Sequence, residues 1–489
     1  MVAYQVSKKI NDNLLYRFRR IDNLIGEYQE LERQSIFFAP PELLNDPMEG
    51  LMDICFDGDD VLWRNLFKHY LLCLFSFSLD YYCFGESGER KSSIEVFAIE
   101  SDIPNEGKIY WHKLLRAFFA DVSIQSILEK IVKYRKNVGQ TELSYYLSII
   151  HPIAINYILN EFKDMGIVSS NPFHNVDYKK ITFLNDSFFV ALNETLQRHG
   201  EHQVDSMFQQ HQSHAQQLHL VFERINKEHQ SNKKMLFSGF PFAYIKEIEK
   251  LMYPNWFTAC FMSDATNSSV WGNYGQNHTG VCLIYNAEVV DGEHCLSINN
   301  ATIGATLSGP IKGHVKMPFY EIRYTHKRES LNFFESLGRL PMFSVHEHWL
   351  SDVDGSRSKH FFEFTQEWRD NYWHNFYSAI TQKTDDWKYE NEYRLIVSNH
   401  LSGYDPSGVV LNYDFKSLEG IIFGINTSDK DKLAIIELIE KKVHKYKHYD
   451  FKFYQAYYCR QSGAIKHVEL VMFKFDEAQE QVESEAPPV

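Results

Sequence analysis

The run Trp387-Lys388-Tyr389-Glu390-Asn391-Glu392-Tyr393-Arg394-Leu395-Ile396-Val397 places four charged side chains directly ahead of an apolar, β-type stretch. On a strand, alternate side chains share a face. Glu390, Glu392 and Arg394 are therefore expected to project together, with Asn391, Tyr393 and Leu395 pointing the opposite way. Charge on a sheet is costly unless it is partnered. The pattern predicts either a cleft in which the two carboxylates act together or a solvated strand face with a Glu–Arg cross-pair. Both outcomes require a strand late in the chain and other strands for it to pair with.

The length of 489 residues allows roughly one to three domains. With 44% hydrophobic and 23% charged residues, the composition is that of a globular chain and excludes wholesale disorder. A formal net charge of -14 argues against wrapping duplex DNA by bulk electrostatics, although a local basic groove is compatible with it. The seven cysteines, at 55, 73, 83, 260, 282, 295 and 459, include no CxxC pair and are odd in number, so reduced thiols are expected. Residues 1–9 lack the apolar core of a signal peptide. The most apolar stretch, residues 70–77, is far shorter than the ~20 residues of a membrane helix. These features predict a soluble cytoplasmic protein with no membrane partner.

Along the chain, the pattern alternates between β and helical character. Residues 1–107 read as the N-terminal part of an α/β core, with strands at 14–19 and 35–39 and a turn at Asn45-Asp46-Pro47-Met48-Glu49. Residues 108–254 show only helical spacing and read as an inserted lobe. Within it, residues 197–230 are rich in Gln and His. His211 and His214 stand at i,i+3, but no third ligand lies at a metal-site spacing, so a polar helix surface is expected and no metal is assigned. Residues 255–475 return to β character and complete the core, and the acidic residues 476–489 read as a disordered tail.

Around Ser263, a strand ends and a short helix is expected to carry Trp271, Tyr274 and His278 at i, i+3 and i+7, with Gly280 releasing the next strand. Two aromatics and an imidazole on one face would make a wall for a flat heterocycle. The competing reading is that the aromatics are core and His278 caps the helix end, where a cation is favoured. The chain contains no GxxxxGK[ST], no helix-opening GxGxxG, no HExxH and no GxSxG. His346-Glu347-His348 has no further ligand beside it, and Gly420-Ile421-Ile422-Phe423-Gly424 reads as a core strand.

Several boxes in order carry a resemblance. They are Leu15-Tyr16-Arg17-Phe18, then Asn45-Asp46-Pro47-Met48-Glu49, then Cys260-Phe261-Met262-Ser263 with Trp271, Tyr274, His278 and Gly280-Val281. Tyr324 follows, then Lys383-x-x-x-Trp387-x-x-Glu390-x-Glu392-x-Arg394, and Ile421-Ile422-Phe423-Gly424. Together they resemble the bacterial family called domain of unknown function 2971, whose members turn up among abortive-infection and phage-defence genes. The layout also resembles mono-ADP-ribosyltransferases of the Arg-Ser-Glu type. That resemblance implies an α+β fold with a split, mixed or antiparallel β-sheet core and a large helical insertion, with NAD as the bound substrate. It further implies that Arg17 or Arg19 holds the phosphates, that Ser263 braces the site and that Trp271 or Tyr274 packs on nicotinamide. Glu392 would grip the ribose and Glu390 orient the acceptor, with Arg394 on the cofactor and His278 as a further hydrogen-bonding residue. The Ser-Thr-Ser triplet of those enzymes is Phe261-Met262-Ser263 here, and the Asn45–Glu49 box has no counterpart in them.

The expected function is thus an NAD-consuming ADP-ribosyltransferase or NAD glycohydrolase, acting as an antiphage or toxin effector on a protein or nucleic-acid acceptor. Two alternatives stand beside it. One is a metal-dependent nuclease or phosphodiesterase using Asp46, Glu49, Glu390 and Glu392. The other is a non-catalytic sensor whose helical lobe binds a phage or defence-system protein.

Overall fold

The computed structural model describes residues 13–85, 94–173, 184–225, 231–326, 328, 330–398 and 404–475. The expected tail at 476–489 and residues 226–230 of the Gln- and His-rich stretch lie outside the described residues. Two compact units emerge. The first comprises Met1–Leu51, Asn255–Arg328 and Phe376–Val489, and the second Met52–Pro254 and Glu329–Asn375.

The first unit is built on an eight-stranded sheet. Its strand order is Tyr320–Glu321, Glu392–Ser398, Trp256–Met262, Leu14–Arg19, Val281–Asn286, Leu418–Phe423, Lys452–Cys459 and Ala464–Glu469. Neighbours are antiparallel except Leu418–Phe423 with Lys452–Cys459. A parallel pair needs a crossover, and helix Asp429–Tyr446 supplies it, capped at its start by the Ser428 side chain, which accepts from the Asp431 N–H. A second sheet joins Ser35–Phe38, Val409–Tyr413, Glu293–Thr306 and Glu288–Val290, with Gly309–Pro318 paired to Glu293–Thr306. The coarse α+β expectation with mixed and antiparallel sheets therefore describes the fold.

Alternation divides the large sheet into two faces. Leu15, Phe257, Ala259, Phe261, Leu283, Tyr285, Tyr393 and Leu395 bury one face against Ile435, Ile439 and Val443 of the crossover helix. The opposite face carries Phe18, Met262, Cys282 and Ile284, packed with Trp271. Register fixes where the charges go. Tyr16 stands opposite Met262, and Met262 stands opposite Glu392 on the far side. Glu392 and Arg394 thus project on the Trp271 face, whereas Arg17, one residue out of phase, projects on the other.

The second unit is mainly helical and takes in more chain than the expected 108–254 insertion. Residues 52–107 join it because the 25-residue helix Asp60–Phe84 lays Phe75 against Trp111 and Phe162, with ring centroids 5.7 and 5.4 Å apart. Residues 329–375 join it because strand Ser330–Asn332 pairs in parallel with Asp53–Phe56. Helix Gln140–Asp164 runs through its centre. There, buried His151 donates from Nε2 to the Leu236 carbonyl at 2.8 Å, which leaves its Nδ1 to accept from the Tyr70 hydroxyl at 2.8 Å. Leu236 belongs to a π-helical turn, Met235–Gly239, and such turns release backbone groups from the i→i−4 ladder.

Candidate functional site: a buried five-charge cluster

Three local devices bring the charges together. The Asn45-Asp46-Pro47 turn is closed by the Met48 N–H donating to Asp46 Oδ1 at 2.9 Å and the Glu49 N–H donating to the Asp46 carbonyl at 3.1 Å. Arg328 ties its far side by donating to the Met48 and Leu51 carbonyls, and the turn points Glu49 inward. The short strand Gln382–Lys383, paired in parallel with Arg323–Tyr324, positions Lys383. A 3-10 helix, Asp385–Glu390, then ends at Asn391, whose left-handed φ of 45° starts strand Glu392–Ser398. Asn tolerates that conformation better than most residues.

The expected same-face trio is thus reached by a different route. Glu392 and Arg394 alternate on the strand as the sequence suggests, but Glu390 precedes it and arrives across the Asn391 turn. Lys383 Nζ lies 3.0 Å from Glu49, 2.7 Å from Glu390 and 3.1 Å from Glu392. Arg394 donates from Nε to Glu392 at 2.6 Å, from Nη2 to Glu49 at 2.5 Å and from Nη1 to the Ile380 carbonyl at 3.0 Å. The Tyr274 hydroxyl donates to the second Glu390 oxygen at 2.7 Å, and the Glu392 N–H donates to the Tyr324 hydroxyl at 2.8 Å. All five charged residues are buried, with Glu49 the most exposed at 6%.

Three carboxyls share two permanent cations, so their protonation is uneven. Burial pushes Glu392 upward, but the Arg394 and Lys383 charges outweigh it and hold that carboxyl below its ordinary range. Burial is the largest effect on Glu390 and raises it, opposed by Lys383 and reinforced by the Glu392 charge. Glu49 is likewise raised by burial, against the pull of Arg394. Burial disfavours the charged forms of Lys383 and Arg394, yet the surrounding carboxylates overcome this and raise both. Cys260, opposite Arg394 on the neighbouring strand, is pushed well up by burial and by Glu392.

The other expected site residues divide. Ser263 sits beside the cluster through its backbone, its N–H donating to the Asn391 carbonyl at 3.1 Å. Tyr274 belongs to the cluster. Trp271 is core: it is fully buried, its Nε1 donates to the Ala265 carbonyl at 2.8 Å, and its ring stands edge-on to Phe18. The expected single helical face of Trp271, Tyr274 and His278 is corrected, because the helix spans only Ser268–Tyr274. Gln276, Asn277 and His278 then all take positive φ, which turns His278 back over Trp271 with ring centroids 6.4 Å apart. Its hydrogen bonds to the fold are through the backbone, the carbonyl accepting from the Asn426 N–H at 2.9 Å and the N–H donating to the Trp271 carbonyl at 3.4 Å.

Arg17 and Arg19 do not converge on the cluster, and the register explains why. Arg17 projects from the opposite sheet face, donates to the Phe37 carbonyl at 3.0 Å and lies over the Phe261 ring. Burial, reinforced by Arg19, lowers its guanidinium to about 10. Arg19 is bound to Glu30, with Nε 2.7 Å from one carboxylate oxygen and Nη2 on the other. Arg394, expected on a cofactor, spends its donors on Glu392, Glu49 and a backbone carbonyl. Among the described residues, no group of three or more His, Cys, Asp or Glu is arranged to hold a metal ion. Glu49, Glu390 and Glu392 do meet, but around an ammonium and a guanidinium.

Sequence reasoning gave Lys383 no role of its own, and it placed Glu49 only among metal ligands. A lone lysine four residues ahead of Trp387 carries no periodic signal, although its ammonium proves to lie 4.6 Å from that ring. No described helix is long and apolar enough to cross a membrane. No curated protein and no solved structure matches the chain. Residues 270–395 match the family model described as a protein of unknown function, DUF2971, a span that holds Tyr274, Tyr324, Lys383, Glu390, Glu392 and Arg394 and stops short of Glu49 and Ser263.

Proposed function

We propose that the unit bearing this cluster is an NAD-consuming enzyme that cleaves the bond between nicotinamide and ribose and passes ADP-ribose to an acceptor or to water. One observation carries the reading: two carboxyls two residues apart are driven in opposite directions, Glu392 towards the ionised form and Glu390 towards the protonated one. Environments that separate the protonation of paired carboxyls let one site do acid and base work at a single pH. Glycosidic cleavage also needs a fixed carboxylate near an oxocarbenium-like centre. In this reading the C1′–N bond breaks with its electron pair leaving on nicotinamide, and the Glu392 carboxylate faces the resulting cation. The acceptor's oxygen or nitrogen, oriented by hydrogen bonding to the Glu390 carboxyl, then bonds to C1′ as its proton passes to solvent water. Tyr274 is half-buried and is the Glu390 partner within reach of solvent. Arg17 and Arg19 have no part in it. A role as a defence or toxin effector in the cytoplasm, with a protein or nucleic-acid acceptor, belongs to the same proposal.

A structural keystone is the second reading, and the near-complete burial of all five charges favours it. Nicotinamide release from NAD, measured for the wild type and Glu392→Gln, decides between the two. Loss of one preorganised electrostatic contact costs roughly 10²–10³ in rate, so the enzyme reading expects a folded variant with turnover reduced by that factor. No release by the wild type, or undiminished release by the variant, leaves the keystone.

A further inference from the structure

NAD carries a diphosphate, but Arg17 and Arg19 are spent on the Phe37 carbonyl and on Glu30. The cations beside Glu392 are Lys383 and Arg394. Two carboxylates bridge them, and they are held in different ways. Glu392 does so from a strand whose register is fixed opposite Met262. Glu49 sets one oxygen 3.0 Å from Lys383 Nζ and the other 2.5 Å from Arg394 Nη2. It does so from residues 44–52, which lie between the 3-10 helix Pro41–Leu43 and strand Asp53–Phe56 and belong to neither a helix nor a strand. Guanidinium groups hold phosphate oxygens with the same paired geometry that they use for carboxylates.

The fastening of the Glu49 segment is slight. Arg328 straps it by donating to the Met48 and Leu51 carbonyls. The Met48 and Leu51 side chains are themselves 45% and 51% exposed, so apolar packing adds little to the strap. Gly50, next to Glu49, has a φ of 70°, a conformation that glycine adopts without steric cost. Asp46 Oδ2 is buried with no hydrogen-bond partner among the described residues. Solvent reaching an opened turn would satisfy that oxygen and offset part of the cost of opening.

Resting on the NAD reading above, we propose that Lys383 and Arg394 form a phosphate site that Glu49 occupies until the substrate's diphosphate displaces it. The displaced carboxylate moves into water with its turn, and the diphosphate takes its place on the two cations beside Glu392. Glu49 is thus a built-in competitor. The share of molecules with Glu49 seated lowers the apparent affinity for substrate.

The test uses the full chain as wild type, Glu49→Gln and Arg328→Ala, with calorimetric titration of inorganic pyrophosphate and nicotinamide release from NAD. Glu49→Gln takes the charge from the competitor, whereas Arg328→Ala loosens the turn and leaves all five cluster charges in place. Both should bind pyrophosphate at least about tenfold more tightly than wild type and lower KM for NAD by a similar factor, with kcat changed less. Glu42→Gln removes the same charge from an exposed position just ahead of the turn and should alter pyrophosphate binding by less than about twofold. Unfolding midpoints show which variants are folded; should one fail to fold, the other carries the test. A folded variant that binds pyrophosphate no more tightly than wild type overturns the proposal. Nicotinamide release with an unchanged KM also overturns it and leaves the NAD reading standing. No release by the wild type defeats the NAD reading instead, and pyrophosphate binding alone then decides whether Glu49 covers a phosphate site.

Discussion

Replacing Lys383 with methionine removes the one ammonium that touches three buried carboxyls. The wild-type cluster sets three acids against two cations, whereas the variant leaves Glu49, Glu390 and Glu392 facing Arg394 alone. Stripping one partner from a buried ion pair costs about 3–5 kcal/mol. A pH-independent loss of about 1 kcal/mol from the Trp387 contact adds to it. The variant can lessen the larger cost by protonating Glu390 or Glu49, both already raised in the wild type. A carboxyl whose folded pKa lies above its unfolded value imposes no penalty when protonated in both states, and its full penalty when both states are ionised. Each unit of difference is about 1.36 kcal/mol. The destabilisation of Lys383→Met should therefore be largest near pH 8 and shrink as pH falls towards the ordinary carboxylate range. Urea unfolding followed by tryptophan fluorescence, at several pH values for both proteins, gives the difference directly. A loss below about 1 kcal/mol at pH 8, or one that does not vary with pH, would refute the account of a charge-balanced cluster.

In the helical unit, burial lowers His69 and His151 from 6.5 to about 4. Their contribution is complete above the unfolded pKa and lost as pH falls from about 6.5 towards 4, worth roughly 3 kcal/mol each. His151→Gln should be less stable than wild type at pH 7, with the gap narrowing by pH 4.5; parallel pH–stability curves would contradict this. At Gly424, a Cβ would collide with the His278 carbonyl oxygen and meet the Gly280 oxygen at 2.7 Å. Gly424→Ala is therefore expected to cost about 1–3 kcal/mol and to loosen the 278–280 turn, seen as a lower unfolding midpoint. An unchanged midpoint would show that the turn yields freely.

What was legible in the sequence followed strict periodicity. The alternation through Glu392, Arg394 and Ile396 correctly put Glu392 and Arg394 on one face of a strand. The Glu390 route was hidden because one left-handed residue, Asn391, ends the strand pattern and is invisible to alternation. The helix through Trp271 stopped early for the same kind of reason: three successive positive-φ residues follow Gly275. Arg17 was misplaced because a lone arginine in an alternating strand says nothing about which face is which. That is decided by pairing to residues more than 240 positions away. Glu49 and Lys383 meet only in three dimensions, so only the fold could join them.

Glu390 and Glu392 are driven in opposite directions, Glu390 up by burial and Glu392 down by Arg394 and Lys383. Isotope-edited infrared spectroscopy of glutamate carboxyls, comparing the wild type with Glu390→Gln over a pH titration, reads this directly. The expected result is a protonated carboxyl band that persists above the ordinary glutamate range and loses the intensity of one carboxyl in Glu390→Gln, the remainder belonging to Glu49 and the other raised glutamates. A wild type in which every glutamate carboxyl ionises together within the ordinary range would contradict it.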